Sequence, residues 1–363
     1  MDKNYYCIIM AGGIGARFWP MSKTNHPKQF IDILGVGETL IQMTYKRFAR
    51  VCPEENIYIV TNEIYRDLVK EQIPAISDER IICEPARRNT APCIAYANYR
   101  IEQVNPDASI VVAPSDHIIL KEDAFVEAIN ATLQATTTNN CLITLGIKPS
   151  RPDTGYGYIQ YNDSVSYPED DRIFKVKTFT EKPDIDMAKS FLKSGDFLWN
   201  SGIFIWSLKT IMEAFEKYLP EVDDIFKEGL SKYDTPEEKE FIENAYTVCK
   251  NISLDYGIME KADNVYVYAA DLGWSDLGTW GSLYEIMEKD DTGNCIVGKN
   301  VLTYNSKNCI INMPDEKLVV LQGLKDFIVV EDENILLVCK KSDEQQIRQF
   351  VNDVKVEKGD KYV

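Results

Sequence analysis

The chain has 363 residues, of which 40 are Lys or Arg and 57 are Asp or Glu, so its formal net charge is −17. Hydrophobic residues make up 45% and charged residues 27%, which is the composition of a globular protein and excludes an intrinsically disordered one. A balance this acidic also argues against nucleic acid or an anionic membrane surface as the partner, because both need clustered Lys and Arg.

Nine cysteines are scattered along the chain without a CxxC spacing, and their number is odd. This usage predicts buried free thiols in a reducing compartment rather than a disulfide framework. The apolar or aromatic run before Ala11 has only six residues, 5–10, too few for a signal peptide, and no 18-residue apolar run occurs. We therefore expect a cytoplasmic protein with no membrane span.

Short apolar runs alternate with helical patterns along the first 146 residues. Strands are predicted at residues 5–10, 57–61, 80–83, 109–113 and 141–146, with helices at 39–51, 63–72, 92–105 and 124–137. This alternation predicts an α/β fold with right-handed crossovers and a doubly wound, mostly parallel, Rossmann-like sheet. Because ligands bind beyond the carboxyl ends of such strands, the segments after Met10, Cys83 and Ala113 are candidate site segments.

The pattern changes after Gly146. Two further strands, 156–161 and 173–181, extend the sheet on either side of an acidic loop at 168–172, and residues 213–243 form polar amphipathic helices. Short β runs then dominate at 295–297, 309–312, 318–322, 327–331 and 335–339, followed by a helix at 343–352. These patterns predict a catalytic domain of residues 1–290 and a small β-rich C-terminal module of residues 291–363.

A glycine-rich loop, AGGIGARFWP at residues 11–20, directly follows the first strand. Glycines let backbone N–H groups approach a phosphate closely. A dinucleotide fingerprint would need glycine where Phe18 stands, which argues against an NAD-dependent oxidoreductase, and a Walker loop would need Gly-Lys-Ser/Thr. Residues 11–30 contain Arg17, Lys23 and Lys28 and no acid. We therefore predict a loop that binds nucleotide phosphates through Ala11, Gly12, Gly13 and Gly15.

Further motifs follow this loop in a fixed order: HPKQF (26–30), EPARRNTAP (84–92), APSDH (113–117), PDTGYGYI (152–159), FTEKP (179–183), WNSGIFIW (199–206), LDYGIMEK (254–261) and WSDLGTW (274–280). Together with the loop, they resemble the consensus motifs of the sugar-phosphate nucleotidylyltransferases over most of the first 290 residues. The RNTAP block and PKQF resemble the mannose-1-phosphate guanylyltransferases (GDP-mannose pyrophosphorylases) more than the glucose/thymidylyl branch.

The resemblance implies an enzyme that transfers the guanylyl group of GTP to mannose 1-phosphate, which releases pyrophosphate and forms GDP-mannose. The nucleophile is already an anion, since a phosphate monoester has a second pKa of about 6. No general base is needed, which agrees with a chain that has only two histidines, His26 and His117. Charge compensation, in-line positioning and Mg²⁺ are needed instead.

Two alternatives remain open. The enzyme could use another nucleotide or another sugar 1-phosphate. It could also be a non-catalytic regulatory paralogue that binds a sugar nucleotide, although such a protein should have lost charged site residues that this chain keeps.

Five charged residues are assigned catalytic roles by their motifs. Arg17 suits the leaving pyrophosphate because a guanidinium bridges two phosphoryl oxygens, and Lys28 is a point charge on the same loop that could follow the developing negative charge. The family pattern gives Asp116 and Asp276 to Mg²⁺, which binds through one or two carboxylates. Either aspartate by itself would more often be a helix cap or a turn residue. The fifth, Lys182, would neutralise the sugar 1-phosphate.

The sugar and the base are assigned to two other segments. Glu181, and Asn200 in a predicted WNSG turn at 199–202, offer hydrogen-bonding groups for sugar hydroxyls, and Gly157 would let the backbone approach the sugar closely. Glu84 could accept hydrogen bonds from guanine, with three nucleotide-binding residues beside it: Arg88, Asn89 and Thr90. Alternatively, this block shapes the pocket only through backbone contacts.

The β-rich C-terminal module resembles the partial β-helix of the family's shorter members, which commonly makes dimer contacts. The resemblance therefore implies a homodimer. The family's longer members add a sugar-isomerase domain for which this sequence leaves no room, so that second activity is not expected.

Overall fold

The structure is a computed structural model that describes residues 1–167 and 170–363. Its strands are β1 Tyr5–Ala11, β2 Ile57–Asn62, β3 Ile81–Glu84, β4 Ser109–Pro114, β5 Ile118–Ile119, β6 Leu142–Ile147, β7 Tyr158–Tyr167, β8 Asp170–Thr180, β9 Phe197–Ser207, β10 Val265–Ala270, β11 Trp274–Ser275, β12 Cys295–Val297, β13 Val301–Tyr304, β14 Ile310–Asn312, β15 Val319–Gln322, β16 Phe327–Asp332 and β17 Ile335–Lys340. Its α-helices are α1 Leu40–Phe48, α2 Arg66–Gln72, α3 Thr90–Val104, α4 Glu122–Thr138, α5 Ile185–Ser194, α6 Leu208–Tyr218, α7 Pro220–Lys227, α8 Glu238–Val248, α9 Trp280–Ile286 and α10 Ile347–Lys358.

The strands predicted in the first half of the chain are confirmed with shifts of about one residue at their ends. Two predictions were wrong further along. The segment at 199–202 was read as a turn because Asn, Ser and Gly interrupt an apolar run, but Asn200 lies inside strand β9, where Gly202 takes a φ of +70°. Residues 170–172 of the predicted acidic loop belong to β8, while residues 168 and 169 of that loop lie outside the described residues.

The chain divides into two compact units, each assembled from separate segments of the sequence. The first unit comprises residues 1–12, 44–115 and 119–274, and the second comprises residues 13–43, 116–118 and 275–363. This division does not follow the predicted boundary at 290/291, because most of the glycine-rich loop belongs to the same unit as the C-terminal module. The boundary itself stays a prediction.

The first unit is built on a nine-stranded sheet with the order β3-β2-β1-β4-β9-β6-β10-β8-β7. The pairs β3–β2, β2–β1, β1–β4 and β6–β10 are parallel, and only β8 and β9 run against the other strands described. The mostly parallel α/β sheet is thereby confirmed. Because β1 pairs with β4 and β2 pairs with β3 in parallel, Ala11, Glu84 and Pro114 all end their strands at one edge of this sheet.

The second unit contains two small sheets between which the chain alternates. Strands β12, β14 and β16 are parallel, β17 closes that sheet antiparallel, and β13 pairs in parallel with β15. Such alternation between parallel sheets is the geometry of a β-helix, as predicted for the C-terminal module. Its core contains Ile310, Ile328 and Ile347, and Phe18 and Leu40 from the N-terminal part of the chain pack in the same cluster.

All nine cysteines are free; Cys83 is partly exposed and the other eight are buried. The prediction of buried free thiols is confirmed. Within the described residues, no helix combines the length and the apolar composition that crossing a membrane would require.

Candidate active site

The glycine-rich loop is held in one conformation by Gly15 and Lys28. Gly15 has a φ of +71°, and a Cβ built on it would lie 2.5 Å from the Cβ of Lys28. Glycine is therefore required both for the left-handed backbone and for the close approach of the two chain segments. The Lys28 N–H donates to the Ile14 carbonyl at 3.1 Å, and the Gln29 side chain donates to the Gly13 carbonyl at 3.0 Å, which closes the loop on itself.

The ammonium of Lys28 joins three segments of the second unit. Its side chain is buried, and Nζ lies 2.9 Å from Asp116 Oδ2 and donates to the backbone carbonyls of Asp276 and Leu277, both at 2.9 Å. Burial favours a raised pKa for Asp116, but the charges of Lys28 and His117 outweigh it, so that this pKa lies below its ordinary value. The two aspartates predicted from separate motifs are thus brought to one cation, and Asp116 is ionised there.

The Asp276 side chain is oriented by the tight turn that follows it. Its Oδ1 accepts from the Gly278 N–H at 2.9 Å, and a Cβ on Gly278 would lie 2.7 Å from its Oδ2. Helix α9 is capped by Thr279 in a capping box with Ser282, so Asp276 is not the helix cap. Asp276 is therefore a turn residue that lies three positions before that cap.

The donor set of Asp116 and Asp276 fits a hard divalent cation such as Mg²⁺. Such an ion binds through one or two carboxylates and completes its coordination with waters and substrate phosphates. Among the residues that the structure describes, no three His, Cys, Asp or Glu side chains are grouped to hold a metal on their own.

Arg17 is the cation of this loop that no carboxylate neutralises. Its Nη1 donates to the Gly278 carbonyl at 3.3 Å, and its Nε is buried and has no hydrogen-bond partner in residues 1–167 and 170–363. By contrast, Lys23 on the same loop is paired with Asp332 and Glu333, both at 2.8 Å. Arg17 is therefore the loop side chain with unused capacity for an anion.

In the first unit, Glu84 ends strand β3 as a buried carboxylate. Its Oε1 accepts from the Tyr246 hydroxyl at 2.9 Å, and a Cβ on Gly12 would stand 3.7 Å from its Oε2. Burial raises the pKa of Glu84 to about 7, despite the opposing effects of the Tyr246 hydrogen bond and the Arg87 charge. A carboxyl group with this environment, at the ligand edge of the sheet, is typical of a binding site.

Arg88, Asn89 and Thr90 are fixed by partners within the protein. Arg88 Nε donates to the Tyr246 carbonyl at 2.8 Å, Asn89 caps helix α3 by accepting from the Thr90 N–H at 2.9 Å, and the Thr90 hydroxyl accepts from the Leu254 N–H at 2.9 Å. These three side chains are thus engaged within the protein, and both direct nucleotide binding and the shaping of a pocket through backbone contacts stay predictions.

A third group of predicted residues, Gly157, Glu181, Lys182 and Asn200, also meets in the first unit. A Cβ on Gly157 would collide with Glu181 Oε2 and lie 3.4 Å from Asn200 Cβ. Lys182 Nζ is 2.6 Å from Glu181 Oε1, and the Asn200 N–H donates to the Gly157 carbonyl at 2.8 Å. Gly157 therefore leaves room for Glu181 and Asn200 beside it, while the approach of its backbone to a sugar stays a prediction.

Asp255 is a member of this group that the sequence analysis did not assign. Its Oδ1 accepts from the Asn200 side chain at 2.9 Å, while Asn200 Oδ1 accepts from Thr144 Oγ1 at 3.0 Å. Burial, with a smaller contribution from the Glu181 charge, raises the pKa of Asp255 to about 6. The LDYGIMEK motif contained the signal, because an acid inside an otherwise apolar stretch needs a reason to be buried.

Comparison with known proteins gives the family. A family model described as nucleotidyl transferase matches residues 6–293, and a MannoseP isomerase/GMP-like beta-helix domain model matches residues 299–354. The chain belongs to the nucleotidyl transferase family. Members of this family generally use a divalent metal ion.

Curated relatives and a solved structure agree with this membership. Mannose-1-phosphate guanylyltransferases of Salmonella montevideo and Escherichia coli K12 are 36% and 34% identical to the chain, covering 98% of it and 75% and 74% of the relatives. A crystal structure described as a mannose-1-phosphate geranyltransferase from Thermus thermophilus has a TM-score of 0.87 at 27% identity, covering 97% of this chain and 99% of that one. This nucleotidyl transferase thus shares its fold with that crystal structure over nearly its whole length.

The raised pKa values of Glu84 and Asp255 predict a pH-dependent stability. The folded protein holds protons on these carboxyls that the unfolded chain releases, so their stabilising contribution is complete in acid and is lost as the pH rises through about 6 to 7. In the wild type, the free energy of unfolding should fall between pH 5 and pH 8. In Glu84→Gln, we expect this fall to be smaller by about 2–3 kcal/mol. Urea denaturation at both pH values measures it, with the exposed Glu316→Gln as the control. An unchanged pH dependence in Glu84→Gln would contradict the assignment.

Proposed function

We propose that this nucleotidyl transferase transfers the guanylyl group of GTP to mannose 1-phosphate and releases pyrophosphate and GDP-mannose. The observation that carries the proposal is the Lys28 ammonium, which brings the carboxylate of Asp116 and the backbone of Asp276 to the glycine-rich loop. The names of the relatives at 34–36% identity support the choice of guanylyl donor and mannose acceptor.

In the proposed reaction, an oxygen of the sugar phosphate forms a bond to the α-phosphorus of the triphosphate. The bond from that phosphorus to the oxygen bridging to the β-phosphorus breaks, and pyrophosphate leaves with the electron pair. Arg17 stabilises the charge that develops on the leaving group, and the backbone at Ala11, Gly12, Gly13 and Gly15 leaves room for phosphate oxygens.

Asp116 and Asp276 would hold Mg²⁺, which when bound neutralises phosphate charge and orients the phosphoryl groups. The part played by Lys28 follows from its contacts: because protein acceptors already surround its ammonium, it acts as a positioning residue for Asp116 and the Asp276 backbone. This role differs from the one expected from the sequence, in which the Lys28 ammonium is a free point charge that follows the negative charge developing on the phosphates.

Glu84 is proposed to recognise the base. Guanine presents an N1–H and an exocyclic amino group, and one ionised carboxylate accepts from both. The bound base would therefore favour the ionised form of Glu84. Arg88, Asn89 and Thr90 would hold the segment beside it in place through the contacts described above.

The group around Gly157 is proposed to bind mannose 1-phosphate. Lys182, whose side chain is largely exposed, would neutralise the sugar phosphate, while Glu181 and Asp255 accept hydrogen bonds from sugar hydroxyls. The Asn200 amide is engaged by Thr144 and Asp255, so it orients Asp255 in addition to any contact with the sugar. The absence of a side chain at Gly157 leaves room for the Glu181 carboxylate in this group.

The test is pyrophosphate release in a matrix of nucleoside triphosphates and sugar 1-phosphates with Mg²⁺. GTP with mannose 1-phosphate should give the highest kcat/KM, and Glu84→Gln should narrow the preference for GTP over ATP. Activity with a different pair would assign another substrate to the same chemistry. A folded protein that is inactive with every pair but binds GDP-mannose would instead support the regulatory alternative.

The outer face of the β13–β15 sheet supports a homodimer. Leu302, Tyr304 and Val320 are exposed there, with Leu302 directly opposite Val320, and Leu318 is exposed at the start of β15. Contiguous exposed apolar side chains mark interaction surfaces, and a second copy presenting the same face would bury them. Sedimentation should show a dimer that Leu302→Glu converts to a monomer, with exposed Leu336→Glu on β17 as the control. A monomeric wild type would contradict the proposal.

The cytoplasm is proposed as the location, on the ground of nine free thiols. We propose equally that the catalytic domain ends near residue 290 and that neither nucleic acid nor a membrane surface is a partner.

A further inference from the structure

The C-terminal helix α10 and the residues on either side of it are fixed to the glycine-rich loop and to the start of helix α9. Ile347, in the first turn of α10, is fully buried in the cluster that contains Phe18 and Trp280. The Glu344 carboxylate accepts from the Gly281 N–H at 2.7 Å, and Trp19 Nε1 donates to the Tyr362 carbonyl at 2.7 Å. The helix is therefore part of the frame that positions the glycine-rich loop.

This frame places a second arginine next to Arg17. Arg348 directly follows the buried Ile347, Arg17 directly precedes Phe18 of the same cluster, and helix α10 contacts the short 3-10 turn Ala16–Phe18 that contains Arg17. Partial burial, and then the positive charge of Arg17, hold the pKa of Arg348 below its ordinary value. In residues 1–167 and 170–363, neither guanidinium has a carboxylate within 4.0 Å, although the whole chain has a net charge of −17.

Two like charges held together by a rigid frame are unfavourable unless an anion joins them. The other buried cations of the loop are already paired: Lys28 with Asp116, and Lys23 with Asp332 and Glu333. Each guanidinium presents donors in a planar fork that matches two phosphoryl oxygens. Two such forks fit a polyphosphate better than any single phosphate or carboxylate.

We infer that Arg348 of the C-terminal module is a second arginine of the phosphate site and that it binds, together with Arg17, the β- and γ-phosphoryl groups that leave as pyrophosphate. The inference rests on the proposed function for the identity of the reaction. It adds that the β-helix module supplies a substrate-binding residue and is more than a dimerisation element.

The experiment measures the affinity for inorganic pyrophosphate with Mg²⁺ by calorimetry, using full-length wild type, Arg348→Ala and Arg348→Lys. Loss of a charge-assisted hydrogen-bonding group predicts an affinity about tenfold lower for Arg348→Ala. Arg348→Lys should lose less, because it keeps the charge without the fork. Lys358→Ala, at the exposed end of the same helix, is the matched control and should bind pyrophosphate as the wild type does.

Steady-state kinetics should show a raised KM for the nucleotide in Arg348→Ala with an unchanged KM for the sugar phosphate, which a general loss of folding would not produce. Wild-type pyrophosphate affinity in Arg348→Ala, or an equal loss in Lys358→Ala, would overturn the inference. If Arg348→Ala does not fold, Arg348→Lys decides, because unchanged pyrophosphate affinity there contradicts a bidentate contact. Pyrophosphate binding is measured without GTP or mannose 1-phosphate. If the enzyme does not use those two substrates, the binding experiment still tests the role of Arg348.

Discussion

Asp116→Asn and Asp276→Asn should each lower turnover by about 100-fold or more, the scale of losing one electrostatic stabiliser of a transition state. Both substitutions keep the size of the side chain but remove the negative charge that suits a divalent cation. The Asp116 carboxylate is held ionised by Lys28, and the Asp276 side chain is oriented by the Gly278 N–H. The measurement is kcat at saturating GTP, mannose 1-phosphate and Mg²⁺.

Asp315→Asn is the matched control, because Asp315 is an exposed aspartate of the same unit that pairs with Lys299. Its rate should equal that of the wild type. Near-native rates for both Asp116→Asn and Asp276→Asn at saturating Mg²⁺ would show that neither aspartate has the proposed metal role.

Lys28→Met should affect both stability and catalysis. Removing the buried ammonium leaves two backbone carbonyls and the Asp116 carboxylate, which is 28% exposed, without their shared donor, and we expect a cost of about 1–3 kcal/mol. Turnover should fall in parallel, because the loop, Asp116 and Asp276 lose the group that joins them. Chemical denaturation and kcat measure the two effects separately.

Lys23→Met provides the comparison within the same loop. Lys23 is also a buried lysine with acidic partners, but Asp332 and Glu333 are 36% and 75% exposed, against 28% for Asp116. The Lys28 ammonium in addition donates to two backbone carbonyls, which lose that donor in Lys28→Met. The Lys23 substitution should therefore cost less stability. Equal losses for Lys23→Met and Lys28→Met would contradict the idea that Lys28 specifically joins the metal-binding residues.

Local sequence patterns were sufficient to place some candidate site residues in the fold and insufficient to place others. The position of Glu84 followed from the sequence, since an acid directly after an apolar strand lies at the ligand edge of a parallel sheet. Asn200 was placed in a turn because its neighbours favour turns, but pairing of β9 with β4 and β6 overrides that local preference. Asp255 was overlooked because its partner Asn200 is 55 residues away in the chain.

The role of Lys28 shows the same limit. Its charge and its place in an acid-free loop predicted a phosphate contact. That contact stays a prediction, and the structure adds that the ammonium also contacts acceptors at positions 116, 276 and 277. Which partner a flexible lysine side chain contacts depends on long-range packing that composition and spacing do not encode.

The sequence by itself determined the alternation of strands and helices, the glycine-rich loop, the family resemblance and the local excess of cations in residues 11–30, because each is a property of neighbouring residues and their periodicity. Only the tertiary structure decided that Arg17 and Phe18 pack with the C-terminal helix and that Arg348 therefore stands beside Arg17. These residues are more than 300 positions apart, and burial of one apolar cluster, not any local propensity, brings them together.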